Sequence, residues 1–578
     1  MMSRINWVDD ALVTASTEVQ SKLVDRALAR FKAQEILFSA EPSRLDIQNL
    51  ALPFGVFEHH RVNVWRNQNF ETFEGLLSPF LNYASLKIDF CINGYDDTLD
   101  FSQWKPAAIE LLWLDSSRYS SRMAFEEWAD WLRDRLLDLR SKTTAPILVA
   151  SWVAWQEDAG SQQLETLAAS MPGIYVVDLD AACREDNVIL LDPRVAKISG
   201  SPISRSAQVT LARRLGCQWI PGLLLPPIKA VAVDLDNTLH AGILGEDGVE
   251  GVRLEDGHVA FQKALYALKT KGIFIALVSR NEREDVRSLF ARRADYPVRW
   301  DDFSVIEVSW GSKADALRRV AQQLRIALNA VLFIDDNPGE LVNVTVGCPD
   351  AHTLFAAPTG AQAWRALHYY PGLWHWSVSA DDAGRVQDMK ANAERDKLAR
   401  EIGDAGQYFR ELGITLDVRY NAVADLPRLA DLCRKTNQFN LALRRYNDVD
   451  LAAFLVRGDA CVAAVSLTDR LSDSGTIAVL VAVREHDVLV VEELCISCRA
   501  LGRQLEDTIV FSAVRGMPLF YGCRQVRFHI VEGPRNQPAR DWFNSAENRL
   551  GGNFGSSELQ ADMLANFVPP AGVALTWE

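Results

Sequence analysis

The segment KAVAVDLDNT, residues 229–238, decides the fold of the central part of the chain. An unbroken apolar run that ends in polar residues is typical of a strand buried on both faces of a parallel sheet. The two-residue period of a strand places Asp234 and Asp236 on one side and turns Leu235 into the core. Ligands of open parallel sheets bind beyond the carboxyl ends of the strands. We therefore expect the two carboxylates to lie in a cleft.

Two further apolar strands end in polar residues. GIFIALVS ends at Ser279 and is followed by Arg280 and Asn281, which would bring a hydroxyl group and a cation to the same cleft. AVLFIDD ends in Asp335 and Asp336. Adjacent strand residues face opposite ways, so one of these two aspartates should bind a metal directly and the other should act from outside the coordination sphere or from the loop.

The set of charges suits phosphoryl transfer. A phosphoryl group repels a carboxylate nucleophile, and a magnesium ion together with Lys313, which follows a Trp-Gly-Ser turn and should open a helix, would offset that repulsion. Magnesium prefers six oxygen ligands at about 2.1 Å. The predicted metal ligands are the carboxylates of Asp234, Asp236, Asp335 and Asp336. Asp236 would also protonate the leaving oxygen and later deprotonate water or another acceptor.

An isolated Asp-x-Asp at a strand end is common in proteins where it has no catalytic role. Here four elements occur in order along the chain: DLDNT, the Ser-Arg-Asn turn at 279–281, Lys313 and FIDDNP. DLDNTLHAGILGEDG (234–248) and FIDDNPGEL (333–341) resemble the haloacid dehalogenase (HAD) superfamily and, within it, the FkbH-like branch of subclass IIIC, over about 226–375. The resemblance implies a magnesium-dependent enzyme with a flap at 239–251. It implies these roles: phosphoryl acceptor, Asp234; acid and base, Asp236; phosphate binding, Thr238 and Ser279, beside Arg280 and Asn281; charge stabilisation, Lys313; magnesium ligand, Asp335.

At 578 residues the chain is too long for one hydrophobic core. We expect a multi-domain α/β protein with four parts: an N-terminal SGNH-like α/β domain with a leading helix from about residue 9 to 34 (1–225), a Rossmann-like HAD domain (226–375), a helical connector (376–412) and an α+β GNAT-like acyltransferase domain (413–578). The first domain shows no convincing hydrolase site. Ser39 and Ser43 near an early strand lack a GDS signature, and His59 and His60 fit a strand-to-loop feature. We expect that domain to serve in docking or as a lid.

Two segments of the last part, TNQFNLALRRY (436–446) and ISCRALGR (496–503), resemble the GNAT-like portion of FkbH-like proteins. A strand that runs into a helix at 499–503 would expose backbone N–H groups to the phosphate of a pantetheine arm. The alternative is a helix N-terminus without a ligand. The candidate acyl or pantetheine residues are Cys498, Arg499, Gly502, Arg503, Asn437 and Asn536. Cys498 or Cys495 could carry an acyl group if its pKa is lowered, and burial in the strand is the alternative.

The resemblance implies an enzyme that takes a glyceryl unit from 1,3-bisphosphoglycerate, removes phosphate and loads the acyl group onto the pantetheine thiol of an acyl carrier protein for polyketide biosynthesis. The chain departs from that pattern. Ala230 and Leu235 replace an expected cysteine, His240 replaces a tryptophan, and Arg280 replaces a lysine. The alternative is a phosphatase or phosphotransferase on another small metabolite, with a C-terminal domain that uses coenzyme A or only binds. The retained acidic motifs speak against a third possibility, a scaffold without activity.

Composition excludes several classes of partner. The net charge of −15 argues against nucleic acid, which is bound through clustered Lys and Arg. No apolar run reaches the roughly 18 residues that span a bilayer, and the first residues lack a signal-peptide pattern, so we expect no membrane partner and a cytoplasmic protein. Nine cysteines show no disulfide framework, and Cys495 with Cys498 has no second pair for a zinc site.

Overall fold

The structure is a computed structural model that describes residues 6–50, 58–155, 164–166, 168, 171–199, 201–356, 359–376, 380–550 and 557–578. The chain divides into two compact units. One comprises residues 1–268, 275–321 and 328–377, and the other comprises 269–274, 322–327 and 378–578. Three sheets give a multi-domain α/β protein: the first unit holds two parallel sheets and the second a mixed sheet. None of the helices in these described ranges is both long and apolar enough to cross a membrane.

The first sheet has five parallel strands in the order β2-β1-β3-β4-β5. The strands are β1 Glu58–Arg66, β2 Leu86–Tyr95, β3 Ile109–Trp113, β4 Ile147–Ser151 and β5 Ile174–Asp178. Helices of this part are α1 Asn6–Leu37, α2 Arg44–Gln48, α3 Glu71–Tyr83, α4 Ser117–Ser120, α5 Phe125–Arg140, α6 Leu179–Glu185, α7 Pro193–Ser199, α8 Arg205–Arg214 and α9 Ile220–Leu224, the last two joined by a π-helical turn. The predicted alternation of strands and helices is confirmed by the order of these elements, and every residue of β3 and β4 is buried.

The leading helix packs on the body of the first unit, as predicted. The side chain of Gln34 in α1 donates to the carbonyl oxygen of Phe355 (3.0 Å) and accepts from its N–H (3.3 Å), which satisfies backbone groups of an edge strand. The early strand expected near Ser39 and Ser43 is wrong. Ser39 follows α1, and Ser43 caps α2 by accepting from the N–H of Asp46, because a hydroxyl before a helix satisfies its unpaired N–H groups.

The second sheet carries the predicted chemistry. Its five strands are β6 Ala230–Val233, β7 Phe274–Ser279, β8 Val305–Val308, β9 Val331–Asp335 and β10 His352–Phe355, in the order β10-β9-β6-β7-β8. Its helices are α10 Leu244–Gly251, α11 Asp256–Thr270, α12 Arg283–Arg292, α13 Lys313–Gln323, α14 Pro338–Gly347 and α15 Gly360–His368. The chain reverses its direction of winding between β6 and β9, and such a switch point opens a crevice at the strand ends.

The second unit contains a seven-stranded mixed sheet in the order β16-β15-β14-β13-β12-β11-β17. Its strands are β11 Ile414–Tyr420, β12 Ala460–Thr468, β13 Asp473–Glu485, β14 Val488–Ile496, β15 Gln525–Phe528, β16 Glu558–Gln560 and β17 Val573–Trp577. Its helices are α16 Ala380–Ile402, α17 Ala405–Leu412, α18 Leu426–Lys435, α19 Asp448–Leu455, α20 Glu506–Gly516, α21 Gln537–Leu550 and α22 Ala561–Ala565. The predicted α+β pattern and the helical connector are both present.

A buried ionic cluster ties α16 to this sheet. Arg395 donates to Asp469 at 2.8 Å and to Asp388 at 3.1 Å. Arg503 contacts the same two carboxylates at 3.3 and 3.1 Å. All four side chains are at most 2% exposed. Buried charges persist only when they are paired and hydrogen-bonded, so this cluster holds the connector helix in one position.

Candidate active site

Lys313 joins the ends of two adjacent strands. Its ammonium group lies 2.8 Å from Oδ1 of Asp234, which follows β6, and 2.5 Å from Oδ2 of Asp335, the last residue of β9. The N–H of Asp234 donates to the carbonyl of Ile334, which continues the pairing of β6 with β9 and sets the two carboxylates side by side. Lys313 opens α13, as predicted, and all three side chains are almost fully buried.

Burial and crowding determine the charge of this group. Burial, together with the nearby Asp335 and Asp236, raises the pKa of Asp234 to about 8 even though Lys313 opposes the shift. Burial alone would lower the pKa of Lys313, but the charges of Asp234 and Asp335 outweigh it and raise the pKa. Lys313 therefore stays protonated. Its single positive charge does not balance the negative charges that Asp234 and Asp335 carry when both are ionised.

A third carboxylate completes an acidic group. Asp234, Asp335 and Asp336 each offer one ligand atom, and these atoms lie within 4.8 Å of one another. Burial, and secondarily the neighbouring Asp335, raises the pKa of Asp336 to about 6. An all-oxygen donor set with excess negative charge fits a hard divalent cation such as magnesium. The carboxylate of Asp236, which we expected among the ligands, is not a member of this group, and its role as a ligand stays a prediction.

Asp236 is surrounded by donors. Oδ1 accepts from the N–H of Leu244 at 2.8 Å, and Oδ2 accepts from the amide of Asn281 at 2.7 Å. The Nε2 atom of His240 lies 3.4 Å from Oδ1. Burial alone would raise the pKa of Asp236, but these contacts, with His240 first among them, outweigh burial and lower it. Asp236 is thus ionised next to Asp234, and an ionised carboxylate is a proton acceptor.

The predicted phosphate-binding side chains meet at the same strand ends. Thr238 is 1% exposed, and its hydroxyl oxygen has no hydrogen-bond partner among the described residues. The amide of Asn281 also donates to the hydroxyl of Ser279 at 3.0 Å. Arg280 instead forms an ion pair with Glu340 at 2.7 Å and is partly exposed. Thr238, Ser279 and Asn281 therefore offer polar atoms in the cleft, whereas Arg280 is already engaged by a carboxylate that the sequence did not reveal.

The flap predicted at 239–251 includes α10 and is fastened at its base. Arg293 donates to the carbonyl oxygens of Val249 (3.2 Å) and Val252 (2.8 Å). The amide of Gln262 donates to the carbonyl of Leu239 at 2.8 Å. With both ends held, the flap keeps the N–H of Leu244 on Asp236.

Comparisons with known proteins give little further information. No family model matches the chain, and a search of curated proteins returns no match. Among solved structures, the chain is similar to the N-terminal part of the protein BF1531 from Bacteroides fragilis, described as containing a phosphatase domain and complexed with Mg. The sequence identity is 18%, the TM-score is 0.45, and the match covers 60% of this chain and 99% of that chain. The functional assignment therefore rests on the site residues.

The residues predicted to bind pantetheine have internal partners in the second unit. Asn536 donates to the carbonyls of Asn440 (2.9 Å) and Val531 (2.8 Å). Asn437 accepts from Arg445 at 2.6 Å. The segment 436–446, which contains Asn437, lies along β14, where the N–H of Leu441 donates to the carbonyl of Leu494 at 3.0 Å. These contacts extend the sheet, and pantetheine binding at these asparagines stays a prediction.

The helix N-terminus near residue 503 is likewise occupied by the protein itself. The N–H of Gly502 donates to Glu506 at 3.1 Å, Arg499 donates to the carbonyl of Ser474 at 2.8 Å, and Arg503 belongs to the buried ionic cluster. These contacts engage the N–H of Gly502 and the side chains of Arg499 and Arg503 within the protein, and phosphate binding by the backbone N–H groups of this segment stays a prediction.

The two candidate thiols differ in environment. Cys495 is fully buried in β14, and burial, with Cys433 beside it, raises its pKa well above the ordinary value. The idea that Cys495 is a reactive thiolate is therefore wrong, since a thiol with a raised pKa stays protonated at neutral pH. Cys498 is partly exposed and remains the candidate of the pair.

Proposed function

We propose that the chain is a magnesium-dependent phosphatase or phosphotransferase of the HAD type, with Asp234 as the nucleophile. The observation that carries this proposal is the position of Lys313, whose ammonium group bridges Asp234 and Asp335 at the switch point of a parallel sheet. A buried cation between two carboxylates at a ligand-binding crevice is the arrangement that a phosphoryl group in transfer requires.

The chain's own residues account for the reaction. An oxygen of Asp234 attacks phosphorus, and the bond between phosphorus and the leaving oxygen breaks. Asp236, after taking up a proton, gives it to leaving groups that need one. In the second step water attacks the phosphorus of the aspartyl phosphate, its proton passes to the Asp236 carboxylate, and the bond to Asp234 breaks. Thr238 and Ser279 would hold the non-reacting phosphate oxygens.

The acidic group would hold the metal. Asp234, Asp335 and Asp336 supply carboxylate oxygens close enough together for one ion. A bound magnesium ion would offset the negative charge shared by the nucleophile and the phosphoryl group.

Phosphate release from acetyl phosphate, measured with and without magnesium, tests this proposal. We expect release only with magnesium, and none from the Asp234→Asn protein, because an amide is not a nucleophile of this kind. Asp315→Asn, on the exposed side of α13, is the matched control and should retain turnover. Turnover by the Asp234→Asn protein would refute the assignment of the nucleophile.

We further propose, on the sequence resemblance to FkbH-like proteins, that the substrate is a phosphorylated three-carbon acid similar to 1,3-bisphosphoglycerate. The acyl group would pass to the pantetheine thiol of an acyl carrier protein. In that transfer the thiolate sulfur would attack the acyl carbon and the acyl phosphate would leave as inorganic phosphate, while Asp234 would take the phosphoryl group of the phosphate ester at the other end, whose alkoxide would receive a proton from Asp236 after that residue has taken one up. The second unit, a separate α+β domain, would then supply the acyl-transfer surface.

Intact-mass spectrometry of a phosphopantetheinylated carrier protein, after incubation with enzyme, magnesium and 1,3-bisphosphoglycerate, tests the finer proposal. A glyceryl adduct on the carrier supports it, and a Cys498→Ser enzyme tells whether that thiol carries the acyl group. Phosphate release without an adduct would favour the alternative, a phosphatase for another small metabolite whose C-terminal domain uses coenzyme A or only binds.

A further inference from the structure

His240 is a buried histidine that contacts the acid–base carboxylate. Its side chain is 0% exposed, its Nε2 atom lies 3.4 Å from Oδ1 of Asp236, and its Nδ1 atom lies 2.9 Å from the hydroxyl of Tyr296. The ring of Tyr296 is also fully buried and packs edge-on to the imidazole, with centroids 6.1 Å apart. A polar ring is costly to bury unless its nitrogen atoms have partners: Nδ1 has one in Tyr296, whereas Nε2 forms no hydrogen bond with the described residues and faces only the carboxylate of Asp236.

The two contacts fix the orientation of the imidazole. A neutral histidine has one N–H donor and one acceptor nitrogen, and the carboxylate of Asp236 can only accept. The proton therefore belongs on Nε2, facing Asp236, and the hydroxyl of Tyr296 donates to Nδ1. At 3.4 Å the Nε2 contact is longer than an ordinary hydrogen bond. We therefore expect the Nε2–H group to act on Asp236 by orienting its carboxylate and through its partial positive charge.

Two parts of the chain, the flap and the loop after β7, thus converge on one carboxylate. The flap backbone at Leu244 and the ring of His240 act on Oδ1, while Asn281, from the loop after β7, acts on Oδ2. Leu244 and Asn281 each hold one oxygen of the carboxylate, and His240 adds a second contact on Oδ1. His240 is joined through Tyr296 to the packed segment beyond α12, where Arg293 also lies 5.1 Å from the tyrosine ring.

We propose that His240, held by Tyr296, is a positioning residue that keeps the Asp236 carboxylate directed at the water that hydrolyses the aspartyl phosphate on Asp234. This inference rests on the proposed function. In that step the water oxygen bonds to phosphorus, the bond from phosphorus to Asp234 breaks, and the water proton moves to Asp236. Formation of the aspartyl phosphate from an acyl phosphate needs no proton from Asp236, so His240 matters for the second step and not for the first.

The test follows the phosphorylated enzyme during turnover of acetyl phosphate with magnesium. In the His240→Phe protein we expect turnover to fall about 10- to 100-fold, which is part of the roughly 100- to 10,000-fold that a positioned acid–base group contributes. The fraction of enzyme that carries a phosphoryl group, read by intact mass after acid quenching, should rise at the same time. Tyr296→Phe should give a smaller effect in the same direction.

His240→Gln is the conservative variant, because its amide can place an N–H near the position of Nε2. We expect it to restore most of the turnover and to return the phosphorylated fraction toward that of the wild type. A fall in turnover with no rise in the phosphorylated fraction would mean that His240 only supports the fold, and it would overturn this inference alone. A wild-type enzyme that neither becomes phosphorylated nor releases phosphate would overturn the proposed function as well.

Discussion

Replacing Lys313 with methionine removes the cation between two buried carboxylates and keeps nearly the same side-chain volume. At 2.8 Å from Asp234, a pair of unit charges with an effective dielectric constant of about 20 interacts by about 6 kcal/mol. Desolvation of the ammonium offsets part of this energy, and the loss of one preorganised donor in active sites costs about 3–4 kcal/mol in the transition state. Since about 1.4 kcal/mol corresponds to a factor of ten, we expect kcat to fall about 100- to 1000-fold.

The same substitution should change magnesium binding in the opposite direction. Without Lys313 the acidic group of Asp234, Asp335 and Asp336 has one more net negative charge, so the magnesium concentration for half-maximal binding should decrease. Kinetics with acetyl phosphate and a magnesium titration of the Lys313→Met protein measure both effects, with Lys263→Met, an exposed lysine of α11, as the control. Turnover within a few-fold of the wild type, or weaker magnesium binding, would refute the role given to Lys313.

Two further substitutions test other parts of the structure. Thr238→Val removes a buried hydroxyl that has no hydrogen-bond partner among the described residues, so we expect the free energy of unfolding in urea to rise by about 1 kcal/mol. Inhibition by orthovanadate should become weaker, because this hydroxyl is proposed to bind phosphate oxygens. A lower free energy of unfolding would contradict the absence of a partner for the hydroxyl. Asp388→Asn leaves buried Arg395 and Arg503 without one carboxylate and should lower the free energy of unfolding of the second unit by about 3–5 kcal/mol. Burial alone would raise the pKa of Asp388, but the charge of Arg503 together with contacts to Ser472, Arg395 and Ser474 lowers it below its ordinary value. The contribution of Asp388 to stability should therefore persist at neutral pH and be lost only as the pH falls through the lowered value; equal acid sensitivity of the wild type and the variant would contradict this.

The buried centre of each sheet was predictable from sequence because apolar runs mark it. The strands β6, β7 and β9 were all expected, and each consists of buried residues. The strands β8 and β10 were missed. Each has four residues and lies at an edge of the sheet, where partial burial tolerates Glu307 and His352 and leaves no continuous apolar run. Burial, and not length, separated the found strands from the missed ones, because β6 also has four residues but all of them are buried.

The residues of the acidic site were predictable for a related reason. Asp234, Ser279 and Asp335 come directly after or at the end of such strands, and parallel strands bring their carboxyl ends together. Their partners were not predictable in this way. Glu340, which engages Arg280, and Tyr296, which engages His240, lie 60 and 56 residues away along the chain, as the numbering shows. Such pairs depend on tertiary packing, which local patterns do not encode.

The residues predicted to bind pantetheine show that a sequence motif alone does not tell which of its polar groups are paired inside the folded protein. The segments 436–446 and 496–503 contain many donors, and several of them were predicted to bind a ligand, with a helix N-terminus without a ligand as the alternative. Folding pairs them instead: the first segment binds along β14, and Arg503 enters a cluster with Asp388 and Asp469. A buried polar group almost always has a protein partner, so a polar motif on a strand edge or in a core predicts internal pairing first.

The contrast between Asp234 and Asp236 explains how one strand end supplies two different chemical roles. Asp234 is buried among carboxylates with a single lysine, which raises its pKa to about 8, whereas Asp236, two residues later, accepts from a backbone N–H and an amide, and its pKa is lowered. A divalent cation at the acidic group would lower the pKa of Asp234 and ionise it as a nucleophile, without the need for a base. Asp236 needs no metal to be ionised. In the proposed reaction, a metal ion bound at the acidic group would thus prepare Asp234 to accept a phosphoryl group, whereas Asp236, with His240 beside it, would act as proton acceptor with or without the metal.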